Sequence, residues 1–198
     1  MQFFTKACIV AVCVLFTGSA TAEVKVSVQR KNYDITGTNG AALLDAMDKR
    51  GPKHGFLTRA IAQTGYTVGW EIEWAMANGT CRVKDATAEL AVTYTFPRVV
   101  SRLPPELNRR WSRFMDGVRK HEETHGKLAR QMVRAAEREV SGMSMRNDPD
   151  CTKSRSAVKQ KLAAIYADYE ARQVQFDSKE HREGGRVEGL VDALLGKR

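Results

Sequence analysis

His121-Glu122-Glu123-Thr124-His125 lies inside a long run that reads as one helix, from about Pro105 to Ser141. Residues four apart on a helix share a face, so both histidines can reach one ion. Glu122 sits at the edge of that face, where a carboxylate can hold a water. Two histidine nitrogens as ligands with a neighbouring glutamate as general base is the arrangement that zinc-assisted hydrolysis requires. A five-residue pattern recurs by chance, so its surroundings have to carry the reading.

Those surroundings favour it. Pro105 suits the first turn of a helix, Glu106 suits its positive end, and Gly142 stops it. Leu107, Trp111, Phe114, Val118, Leu128, Met132, Ala136 and Val140 recur at spacings of three and four, which makes one apolar stripe. His121 and His125 fall in the gap of that stripe. Arg109, Arg113, Lys120, Lys127, Arg130, Arg134 and Arg138 help to form the opposite, solvated face. The histidines therefore point inward, and buried imidazoles need a metal or hydrogen-bond partners.

Upstream, the chain reads as strands. Val24, Val26 and Val28 alternate with polar residues, and Tyr33 to Thr36 continues or restarts that strand. Thr38 or Asn39 caps a short helix from about Ala41 to Arg50, which Gly51-Pro52 ends. His54 falls in a loop. Gly65 to Ala77 alternates through Tyr66, Val68, Trp70, Ile72 and Trp74. Asn78-Gly79 is a hairpin signal, and Cys81 to Phe96 forms the returning strand. Downstream, Asn147 to Asp150 is a loop and a second helix runs from about Ser154 to Val174. The tail from Phe176 begins irregular and Gly-rich, with a final helix near Val187 to Leu195.

Residues 1–22 read as a signal peptide: Lys6, an apolar run from Ala7 to Phe16, and the small-x-small site Ala20-Thr21-Ala22. The remainder, 23–198, reads as a single domain without a membrane span. Removing the signal leaves two cysteines, for which a Cys81–Cys151 disulfide is expected in an oxidising compartment. Zinc-binding thiolates are the weaker alternative, because neither cysteine lies in a C-x-x-C pair. The whole chain carries +9. Lys6 is the only charge in the signal, so the mature chain carries 31 cations against 23 acids, or +8. That excess suits anionic envelope surfaces, although solvated faces account for it as well. Nucleic acid is not expected as a partner of an exported chain.

A catalytic zinc needs a third protein ligand. Leu128 and Gln131 exclude the metzincin extension. Glu137 and Glu139 share the motif helix, and Glu170 is a further candidate. His181, the only later histidine, is the best one, and Asp177 follows as alternative ligand or outer-shell partner. Tyr169 is a candidate oxyanion stabiliser.

Tyr33-Asp34, Trp74, Cys81, Pro97, Trp111 and His121 to His125 together resemble a bacterial family of predicted secreted zinc-dependent proteases, a domain-of-unknown-function family. That family's downstream Tyr-Asp-x-x-Thr-x-His-Gly pattern reads here Phe176-Asp177-Ser178-Lys179-Glu180-His181. Phe replaces Tyr, Glu180 replaces Thr, and the glycine comes late. The resemblance strengthens His181 as a ligand.

The combined expectation is an α+β, zincin-like fold: a small antiparallel sheet, a long active-site helix and a packed second helix. The expected function is a secreted zinc peptidase. His121, His125 and His181 hold Zn2+, Glu122 is the base, and a peptide or protein of the envelope is the substrate. An extended peptide would add to the strand ending near Phe96 if that strand is an edge. The alternative is a non-catalytic zinc-containing protein that binds an acidic envelope partner through its basic face.

Overall fold

A computed structural model describes residues 24–54 and 58–197. The predicted signal peptide, with Cys8 and Cys13, lies outside them. Strand β1 spans Lys25–Ile35, helix α1 Gly40–Arg50, β2 Lys53–His54, β3 Thr58–Arg59, β4 Gln63–Ala77 and β5 Thr80–Val99. Helix α2 follows at Pro105–Val140, then β6 Ser144–Arg146, α3 Thr152–His181 and α4 Arg186–Leu195. Among these helices none is long and apolar enough to cross a membrane. His54 belongs to β2 rather than to a loop.

β5 is the spine of the sheet, in the order β1-β5-β4. β4 pairs with it antiparallel through the Asn78-Gly79 turn, as expected from the sequence. β1 corrects the expectation of an antiparallel sheet. It runs parallel to β5 from Lys25↔Glu89 to Ile35↔Val99. Parallel neighbours need a connection that returns the chain to its starting end. α1 and the β2–β3 hairpin lead from the end of β1 to the start of β4 at the same end of the sheet, and β4 itself runs back to where β5 begins. β6 adds to the first residues of β5. β5 is thus a central strand, which corrects the expected peptide-binding edge near Phe96. β4 and β1 are the outer strands among the described residues.

One irregularity keeps the core in phase. Glu73 pairs with Asp85 but Trp74 with Val83, so β5 carries an extra residue there. An unbulged strand would turn its apolar set to the other face. With the bulge, Cys81 and Val83 share the inner side with Ala86, Ala88, Leu90, Val92, Tyr94 and Phe96, all buried.

α2 lies on that inner face and buries Leu107, Phe114, Val118, Met132, Ala136 and Val140 of the predicted stripe, with Trp111 and Leu128 half-buried. Gly126, the residue after the motif, lets the helix sit directly on Tyr94: a Cβ there would run into the Tyr94 hydroxyl. Gly126→Ala is therefore expected to destabilise the fold. Overpacking at about 1–3 kcal/mol outweighs the roughly 1 kcal/mol gain in helix propensity. Adding Tyr94→Phe should recover part of the loss in urea denaturation; a midpoint unchanged by Gly126→Ala would refute the close approach.

α3 runs back along α2. It is longer than the expected helix: Phe176 to His181 are helical, a correction to the irregular tail. No Gly or Pro interrupts the run before Gly184-Gly185, so nothing stops the helix earlier. Its start is held by the Cys81–Cys151 disulfide, with S–S 2.00 Å. That bond excludes the thiolate alternative. Asp148, 1% exposed, secures the same turn by accepting hydrogen bonds from the Lys153 and Ser154 main-chain N–H groups at 3.0 and 2.8 Å and from the Ser154 hydroxyl at 2.6 Å. α4, foreseen within a residue, packs Leu190 against Gly117 of α2.

Candidate metal centre

The antiparallel run of α2 and α3 brings residues distant in sequence to one point. α2 supplies His121, Glu122 and His125, and the last turns of α3 supply Gln173, Asp177, Glu180 and His181. His121 Nε2 lies 3.3 Å from His125 Nε2. Asp177 Oδ1 lies 3.3 Å from the first and 2.9 Å from the second. Three donors on a tetrahedral ion with bonds of about 2.0–2.1 Å stand roughly 3.3 Å apart. The spacing observed is that of ligands sharing a centre. His121, Asp177 and His181 also form a metal-capable group, with one donor atom from each within 4.8 Å of the others. The His181 ring stands edge-on to His121, with 5.3 Å between centroids. Phe176 stacks on His121 at 4.9 Å, an apolar wall beside the donors.

The outer partners are set for a cation. His125 Nδ1 lies 2.5 Å from Gln173 Oε1. As the amide oxygen accepts, Nδ1 carries the proton and Nε2 keeps its lone pair for a ligand. The Gln173 amide N–H donates to the His125 carbonyl at 3.3 Å, which fixes the pair. Asp177 Oδ1 is buried and faces the two imidazole Nε2 atoms, and His121 Nδ1 is buried without a hydrogen-bond partner. Such buried polar atoms are costly unless an ion or another group satisfies them, so the donor set fits a metal.

The charges agree. Burial pushes the Asp177 carboxyl up, but His121 and His125 outweigh it and hold Asp177 well below the usual carboxylate range. Burial pulls His125 down, yet Asp177 and Gln173 raise it overall. Burial, with the charge of His121, holds His181 low. Asp177 thus stays ionised, the form in which a carboxylate ligates a cation.

Glu122 is buried beside this centre. Its Oε2 accepts a hydrogen bond of 2.7 Å from the Thr64 hydroxyl of β4. The carboxylate is thus held by the strand next to it, not by the donor cluster. His121, Glu122, His125, Gln173, Asp177 and His181 all line one open cleft of about 830 Å³, whose far wall is the start of β4.

The expected residues are placed unequally. His121, Glu122, His125, Asp177 and His181 come together. Tyr169 is not among the cleft residues; its ring lies under Arg172, 4.4 Å away, and against the main apolar cluster. Tyr66 of β4 is the cleft's tyrosine, raised in pKa by burial and by Glu170. Sequence reasoning missed Thr64, Tyr66, Gln173 and Glu180. Gln173 had a signal in its four-residue spacing to Asp177 and then to His181, and Glu180 had one in its place between those two residues in the downstream pattern.

The family model described as "Bacterial protein of unknown function (DUF922)" matches residues 30–185, a span that contains every residue of the centre. No curated protein and no solved structure matches the chain.

Proposed function

We propose that this chain, which belongs to the DUF922 family of bacterial proteins of unknown function, is an exported zinc-dependent hydrolase that cleaves peptide bonds. The observation that carries the reading is the convergence of His121 Nε2, His125 Nε2 and Asp177 Oδ1 within 2.9–3.3 Å of one another, beside Glu122 in an open cleft. His121, His125 and Asp177 would hold the ion, with His181 as a fourth donor at hand. Zinc bound there would acidify a water and polarise a carbonyl.

The chain's own residues would do the rest. Glu122 takes the proton of the attacking water and returns it to the leaving nitrogen. The Thr64 hydroxyl keeps that carboxylate turned toward the cleft. The Tyr66 hydroxyl is the cleft donor available to a developing oxyanion. An extended peptide pairs with β4, the outer strand that enters the cleft at Gln63 and Thr64. The disulfide and the absence of a membrane-spanning helix among the described residues are compatible with export.

The test is elemental analysis followed by incubation with a library of extended peptides. About one equivalent of zinc is expected, with cleavage that 1,10-phenanthroline stops and added zinc restores. One observation favours a second reading. His181 offers a fourth protein donor, and four-donor zinc sites are structural. Stoichiometric zinc without cleavage of any peptide would favour that non-catalytic, envelope-binding protein. A chain that binds no zinc would refute both readings.

A further inference from the structure

Glu180 stands on the last turn of α3, with its side chain only 15% exposed. Two features make this an unfavourable place for a carboxylate. The C-terminal end of a helix carries partial negative charge, and burial of an unpaired carboxylate is costly. The inner oxygen, Oε2, has no hydrogen-bond partner. It lies 3.7 Å from His121 Nδ1, which is also buried and without a partner. The two unsatisfied atoms thus face each other across a gap roughly 1 Å longer than a charge-assisted hydrogen bond.

The other motif histidine shows what such a contact does. His125 Nδ1 donates to Gln173, which leaves Nε2 free at the donor cluster. Gln173 and Glu180 are two turns apart on α3, with Asp177 between them. α2 and α3 run antiparallel, so each of the two histidines meets one of these side chains behind its ring.

We propose that Glu180 is the positioning residue of His121. It accepts the Nδ1 proton, fixes the tautomer that turns the Nε2 lone pair to the metal, and makes the ring a stronger donor. Its negative charge also offsets that of the cation. This role rests on the metal-centre reading above and adds to it a second outer contact that α3 supplies from its final turn.

The test compares Glu180→Ala and Glu180→Gln with the wild type and with Glu183→Gln, a change at an exposed residue of the following turn. Zinc affinity is measured by competition with a chromophoric chelator, and the visible spectrum of the cobalt-loaded protein is recorded. Melting of the metal-free protein is followed in parallel. Glu180→Ala is expected to weaken zinc binding about 10–100-fold and to alter the cobalt spectrum, with metal-free melting unchanged. Glu180→Gln keeps an acceptor oxygen and should restore most of the affinity; Glu183→Gln should match the wild type. Wild-type affinity and spectrum in Glu180→Ala would overturn this role alone, as would a loss explained by lower metal-free stability. A wild-type chain that takes up neither zinc nor cobalt would overturn the metal centre with it.

Discussion

Glu122→Gln is expected to lower peptide hydrolysis by about 10²–10⁴-fold while zinc content stays at the wild-type level. The side chain keeps its size, and its amide oxygen can still accept the hydrogen bond from Thr64. What it loses is the ability to take a proton at neutral pH. Glu122 lies beside the converging donors and is held by Thr64 at 2.7 Å, so the substitution should not disturb the ligands. The measurement is initial rate on the best library peptide, paired with elemental analysis of the same sample. Unchanged cleavage at full zinc occupancy would remove Glu122 as the base. Loss of zinc together with activity would mean that the carboxylate supports the donors.

Cys81→Ser with Cys151→Ser is expected to cost about 4 kcal/mol of stability in the chain-entropy model, because the bond closes a loop between residues 70 apart. For a chain of this size that corresponds to a melting temperature lower by roughly 10 °C. The bond ties the first residues of β5 to the start of α3. The metal donors of α3 lie about 39 Å further along that helix at 1.5 Å per residue. Zinc affinity of the folded variant should therefore change little, while melting falls strongly. Equal melting of the oxidised wild type and the double variant would show that the bond does not stabilise the fold.

These two outcomes separate the chemistry of the centre from the strength of its frame. The cleft is a joint product of α2, α3 and β4, and only α2 holds its share by sequence-local means. α3 reaches the centre because its whole length is braced against α2, from the disulfide at one end to Gln173 and Asp177 near the other.

By itself the sequence determined the parts whose cause is local. The stripe from Leu107 to Val140 defines α2 because a period of 3.6 residues leaves one face apolar. His121 and His125 belong to the buried side because they occupy gaps in that stripe. Asn78-Gly79 specifies the β4–β5 hairpin through turn chemistry, and two remaining cysteines admit one pairing. The tertiary structure decided what depends on contacts between distant segments. β1 runs parallel to β5 because the intervening strand β4 carries the chain back, and periodicity within a strand says nothing of its neighbour's direction. Asp177 stands nearest the histidines, and Gln173 and Glu180 behind them, because α3 continues past Val174 and returns along α2. Tyr66 enters the cleft in place of Tyr169 because β4 borders it. A ligand set is a statement about distances, and distances between residues so far apart along the chain exist only once the helices have packed.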